Sequence, residues 1–124
     1  MHFTAPVITG SGRGKKLGIP TLNLDTAHVP DTLEEGVYAC FARLGENGTR
    51  VPAVMHRGTR PTFGDTPSCE VHVLNHIVAI APRSLVVDVV EKIRDVQKFA
   101  DEHALKTQLK ADCEHAASLL CISC

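Results

Sequence analysis

The chain has 124 residues, 13 Lys and Arg against 14 Asp and Glu, a formal net charge of −1 and 44 % hydrophobic residues. That length suits one domain, spanning 1–124, able to bury about two-thirds of its unfolded surface without disulfide or metal staples. The balanced charge, the four Phe, one Tyr and no Trp exclude the broad basic, aromatic-laced face of a nucleic-acid binder. No apolar run reaches the length of a membrane span, so no membrane partner is expected.

The N-terminus, Met1-His2-Phe3-Thr4, lacks the charged and apolar regions of a signal peptide. The cysteines are Cys40, Cys69, Cys113, Cys121 and Cys124. An odd count at scattered spacing argues for reduced thiols and a cytoplasmic location. Cys121 and Cys124 form a C-x-x-C with no second pair, and the seven histidines make no H-E-x-x-H element, so a zinc site is not expected.

Phe3 to Thr9 reads as a first strand, and Ile19 to Leu24 as an extended segment in which Pro20 holds its predecessor out of the helical region. Asp25 to Glu35 is a connection. Gly36 opens a strand from Val37 to Leu44, Gly45-Glu46-Asn47-Gly48 turns it, and Thr49 to Met55 returns as its hairpin partner. His56 to Ser68 reads as a second polar loop. Cys69 to Leu74 alternates, with Glu70 and His72 on one face and Val71 and Val73 on the other. Leu85 to Val90 is a β-branched strand. After Phe99 the period changes. Leu105, Leu109, Cys113, Ala116 and Leu120 form the core stripe of a helix, with Asp101 as its N-cap and Glu102 near its positive end. Short antiparallel strands followed by one helix predict a small β-barrel closed by that helix.

One stretch carries unusual chemistry. Residues 10–23 read Gly-Ser-Gly-Arg-Gly-Lys-Lys-Leu-Gly-Ile-Pro-Thr-Leu-Asn. Glycines allow backbone N–H groups to approach an anion, and three cations sit among them. Thr21 and Asn23, two positions apart in an extended segment, present side-chain oxygens on one side. That set suits a polyphosphate with a hard cation such as Mg²⁺. It matches neither a Walker loop nor the dinucleotide fingerprint, and a solvated basic loop is its competing reading.

These residues, with those downstream, resemble the riboflavin kinase family, including the C-terminal kinase module of bifunctional bacterial FAD synthetases. The likeness rests on residues 10–23, on Gly36-Val37-Tyr38 and on Gly58-Thr59-Arg60-Pro61-Thr62-Phe63. It continues through Glu70-Val71-His72, Ile93-Arg94, Lys98-Phe99 and the final helix with Asp112. The resemblance implies a mainly β fold, a six-stranded antiparallel Greek-key β-barrel with a C-terminal α-helix. It implies transfer of the γ-phosphoryl group of ATP to the 5′-hydroxyl of riboflavin, giving FMN and ADP. Carried over by position, Thr21 and Asn23 hold Mg²⁺ and the phosphates, while Gly10, Gly14, Lys15 or Lys16, and Pro20 line the nucleotide site. Glu70 is the general base. Arg94, Lys98 and Phe99 lie in the flap over the isoalloxazine. Asn75 either touches the adenine edge or simply ends its strand. Without the resemblance, Arg94 reads as a surface partner of Glu91 or Asp95, and Phe99 as a core plug.

The chain departs from the family where an acidic-aromatic run ending in Tyr-Gly is usual, since it has Ala79-Ile80-Ala81-Pro82 instead. Val96 stands where the family has Glu, and His56-Arg57 where apolar residues usually precede the glycine. A flavin- or nucleotide-binding module with weak catalysis is therefore the alternative function. The expected partners are small molecules, riboflavin or FMN and ATP or ADP, acting on a monomer. With no adenylyltransferase motif in these 124 residues, FAD synthesis by this chain is not expected.

Overall fold

Alternation of apolar and polar residues along the strands divides the molecule into an inside and an outside. In the computed structural model, which describes residues 1–8, 21–45, 48–59, 67–74, 82–97 and 99–120, the strands are β1 (His2–Ile8), β2 (Thr21–Leu24), β3 (Gly36–Leu44), β4 (Arg50–Thr59), β5 (Pro67–Val73) and β6 (Ser84–Arg94). They close into an antiparallel barrel of order β1-β2-β5-β4-β3-β6, and helix α1 (Glu102–Leu120) follows. This is the expected six-stranded barrel with its C-terminal helix. The inward positions include Phe3, Ala5, Leu22, Leu24, Cys40, Met55, Val71, Val73, Leu85 and Val87, which pack into one core. Val29 and Leu33 of the 25–35 connection join it, and the Tyr38 hydroxyl donates to the Glu34 carbonyl at 2.7 Å to pin that connection.

A second apolar cluster lies outside the barrel. Val37, Ala39, Val54 and Leu74 face outward and are covered by Ala116 and Leu120 of α1, with Ile93 and Cys113 alongside. The helix begins as expected. Asp101 accepts the Ala104 N–H at 2.8 Å through its carboxylate and the Leu105 N–H at 3.2 Å through its carbonyl, satisfying donors that the first turn leaves open. No helix among the described residues is long and apolar enough to cross a membrane.

Three boundaries differ from the sequence expectation. Strand β4 continues through His56, Arg57, Gly58 and Thr59, which the polar composition had placed in a loop, because β5 starts early at Pro67 and pairs with all four. Strand β6 runs past the charged Glu91-Lys92 to Arg94, since β3 supplies partners for Lys92 and Arg94. Its register shifts twice against β3, bulges that bend a strand and re-aim its side chains. The connection 25–35 contains a 3-10 turn at Thr26–His28, capped by Asp25. At the β3–β4 turn the positive φ falls on Gly45, at 91°.

Three polar side chains are drawn out of water. Asp112 is 2 % exposed on the apolar face of α1 and is fully engaged, as described below. His72 is 5 % exposed; burial lowers its pKa from 6.5 to about 4, against the opposing pull of Glu70. Arg57 points inward beside Cys69, and its Nε is buried with no hydrogen-bond partner among the described residues. A buried donor left without a partner costs roughly 1–3 kcal/mol.

Replacing Arg57 with Met removes that orphaned donor and keeps the aliphatic stem. The thermal midpoint of Arg57→Met is expected to rise by about 4 °C per kcal/mol recovered, and a midpoint below the parent's contradicts the assignment. Unfolded His72 takes up a proton near 6.5, whereas the folded ring holds it off until about pH 4. Between those values the unfolded chain binds more protons, so stability is complete above pH 6.5 and falls as pH drops toward 4. Denaturant titrations across that window should give a shallower slope for His72→Gln, with burial of His56, lowered in the same direction, sustaining the remainder. Equal slopes contradict the assignment.

Candidate active site

The outward face of β2, β5 and β4 collects the polar residues that the inward face rejects. Pairing of β2 with β5 sets Thr21 opposite His72, Leu22 opposite Val71 and Asn23 opposite Glu70. Because side chains alternate, Thr21, Asn23, Glu70 and His72 share one face while Leu22 and Val71 seal the barrel. Pairing of β5 with β4 then sets His56 opposite Glu70 and Val54 opposite His72. Glu70 therefore sits in the middle strand of three, with two side-chain oxygen donors on one side and an imidazole on the other.

The side chains are close. Thr21 Oγ1 and His72 Nδ1 share a hydrogen bond of 2.9 Å. His72 Nε2 lies 3.9 Å from Glu70 Oε2. Burial is the main influence on both histidines and lowers the pKa of each, so both rings are neutral at pH 7; Glu70 pulls the other way. Glu70 itself is only partly shielded, with a side chain 14 % exposed, so a substrate hydroxyl can reach it. A carboxylate mounted on a central barrel strand is rigidly placed for orienting a hydroxyl.

Beyond β4 the face is bounded by the segment that leaves β6. A Cβ on Gly58 would meet His56 Cε1 at 3.1 Å and Val96 Cγ2 at 3.4 Å, so Val96 packs where a side chain on Gly58 would stand. The Arg94 guanidinium does not pair with the carboxylates of Glu91 or Asp95. It forms a bidentate bridge to Asp112, Nε to Oδ1 at 2.9 Å and Nη2 to Oδ2 at 2.8 Å, and Asp95 pairs instead with Lys92 at 2.7 Å. Phe99 is half-buried, its ring centroid 5.8 Å from the Arg94 Cζ.

Of the residues singled out from sequence, Thr21, Asn23 and Glu70 come together. Arg94 and Phe99 stand together at the far edge. Gly10, Gly14, Lys15, Lys16, Pro20, Asn75 and Lys98 lie outside the described residues. Two participants escaped the sequence reading. His56 was assigned to a loop because its neighbours are polar. Asp112 had no role, although its position, three after Leu109 and four before Ala116, puts it on the apolar stripe, where an acid needs a partner.

The Flavokinase family model, described as riboflavin kinase, matches residues 1–120. The bifunctional riboflavin kinase/FMN adenylyltransferase of Pseudomonas fluorescens is 37 % identical over 117 residues, covering 91 % of this chain and 36 % of that protein. The chain thus spans about a third of that curated relative's length. Among solved structures, a macrolide-efflux protein from Streptococcus pneumoniae superposes with a TM-score of 0.76 at 28 % identity, covering 91 % of this chain and 37 % of the other. Riboflavin kinase from Trypanosoma brucei superposes with a TM-score of 0.63 at 20 % identity, over 96 % and 78 %, a likeness of fold. With the family model matched nearly end to end and the barrel in place, the chain belongs to the riboflavin kinase family.

Proposed function

We propose that this chain transfers the γ-phosphoryl group of ATP to the 5′-hydroxyl of riboflavin, giving FMN and ADP. The observation that supports this most is the register of β2 against β5, which puts Asn23 opposite Glu70 and Thr21 beside it on one outward face. Family membership supplies the chemistry that such a face serves.

Phosphoryl transfer asks a protein for alignment, charge neutralisation and a group that orients the nucleophile. Glu70 is the group that orients the ribityl 5′-hydroxyl and accepts its proton as the new oxygen–phosphorus bond forms, while ADP leaves with the electron pair of the broken bond. Thr21 and Asn23 offer a hydroxyl and an amide oxygen, hard donors that fit Mg²⁺ shared with phosphate oxygens. Mg²⁺ bound there supplies positive charge against the phosphates. The glycine-basic segment 10–18 runs by chain connectivity into Thr21 and supplies N–H groups and cations to the same anion; in this reading Gly10, Gly14, Lys15, Lys16 and Pro20 line the nucleotide. Arg94, Lys98 and Phe99 belong to the flap on the flavin side. Cys40 and Cys69 are free and buried, with thiol pKa values raised by burial, which suits a reducing cytoplasm.

Incubation with riboflavin, ATP and Mg²⁺ should yield FMN on chromatography. Flavin binding without FMN would instead favour a binding module, the reading that Val96 in place of the family's acid encourages. Glu70→Gln keeps the shape and removes the base, and turnover should fall roughly 10²–10⁴-fold with nucleotide affinity nearly intact; unchanged turnover removes Glu70 from the mechanism. For Thr21→Ala and Asn23→Ala, calorimetry should show loss of the Mg²⁺-dependent part of ATP binding. Heats equal to those of the parent count against the metal role.

A further inference from the structure

The resemblance places Arg94 in the flap over the flavin, yet its guanidinium is already occupied. Nε and Nη2 grip the two oxygens of Asp112, and Nη1 donates to the Asp95 carbonyl at 2.9 Å. Asp112 Oδ1 also accepts from Gln108 Nε2 at 2.9 Å. The acid is buried, with a side chain 3 % exposed, against 19 % for Arg94. A fork-to-fork bridge of this kind fixes direction as well as distance. It ties three pieces together: the end of β6, the backbone at the start of segment 95–101, and the middle of α1.

The start of that segment, at Val96, borders the outward face. Across the outward face the order is β2 with Thr21 and Asn23, β5 with Glu70, β4 with His56 and Gly58, and then Val96, packed at Gly58. If the donor phosphates sit over β2, roughly in-line transfer puts the acceptor hydroxyl on the opposite side of the transferred group. That side is the floor formed by β4 and the wall that begins at Val96.

We infer that Arg94 is a positioning residue for the acceptor side: through Asp112 it locks segment 95–97 against Gly58, and helix α1 thereby becomes part of the flavin site without touching the flavin. The inference rests on the kinase reading and adds a residue, Asp112, that lies too deep to contact any ligand. It also separates two roles that one substitution at Arg94 would confuse. A direct contact and a positioning role both weaken flavin binding when Arg94 is changed. Only the positioning role makes Asp112 matter equally, and only then do the two changes fail to add.

The test is a double-mutant cycle on the intact chain with Arg94→Gln, Asp112→Asn and both together. Riboflavin affinity is read by quenching of flavin fluorescence, MgATP affinity by calorimetry, and the fold by circular dichroism. Either single change should weaken riboflavin binding about tenfold, the pair no more than the worse single, with MgATP affinity held within about twofold. Arg94→Lys, which keeps the charge and loses the fork, should behave as Arg94→Gln. Should Asp112→Asn unfold the chain, Arg94→Met with Asp112→Leu removes both buried charges together and keeps the core apolar. That folded variant should show the same tenfold loss, and faster hydrogen exchange at 95–97. Parent-like riboflavin affinity in Asp112→Asn or in the apolar pair, losses that multiply, or rescue by Lys each overturn the inference. If the parent forms FMN while the variants bind riboflavin normally, the positioning role alone falls. A parent that neither binds riboflavin nor forms FMN overturns the kinase reading as well.

Discussion

Everything at the site depends on one strand register. Strand β2 is only four residues long, and it meets β5 with Asn23 opposite Glu70. A slip of β2 by one residue would turn Leu22 and Leu24 out to solvent and bury Thr21 and Asn23 in the barrel. Both of those polar groups would then lack water or need a partner, a cost of at least about a kcal/mol apiece. The apolar core that keeps the barrel closed is therefore the same constraint that gathers these polar side chains on its outer face. Stability and site geometry are two readings of one alternating pattern.

The outer face is also where the fold becomes less ordinary. A barrel of this size can fill its interior with small and branched residues, and Ala5, Ala42 and Ala53 are each 0 % exposed. The helix is packed on the outside instead, over Val37, Ala39, Val54 and Leu74. Its apolar stripe ends the exposure of that surface and brings Asp112 to Arg94. A buried ion pair of this geometry adds little net stability but makes the loss of either partner severe, on the order of 3–5 kcal/mol. What it contributes is direction, since it fixes how the chain leaves β6. The two bulges in β6 serve the same end by turning Ile93 into the outer cluster.

Much of this was legible from residues alone. The period of two in Cys69 to Leu74 announced that Glu70 and His72 share a face, and the change of period after Phe99 announced the helix and its stripe. The Gly-basic run followed by Thr21 and Asn23 points to an anion and a hard cation, a reading that belongs to the proposed function. Strand ends were harder to read. His56 to Thr59 is polar yet pairs with β5 throughout, so local composition resembles a loop while tertiary pairing makes a strand. Lys92 and Arg94 broke an apolar run that the partner strand β3 continues to support. Asp112 could have been found from its place on the stripe, but its partner, 18 residues earlier in the chain, could not. Long-range pairing of that kind is set by topology, and a single sequence does not print topology.

In the proposed mechanism Thr21, Asn23 and Glu70 act on one reaction from one outward face. A crystal grown with Mg²⁺, ADP and FMN measures this most directly. The metal should lie about 2.1 Å from the Thr21 hydroxyl and the Asn23 amide oxygen, with the FMN phosphate ester oxygen within hydrogen-bond reach of the Glu70 carboxylate. A metal coordinated elsewhere, or an FMN phosphate placed away from the β2–β5 face, would contradict the account.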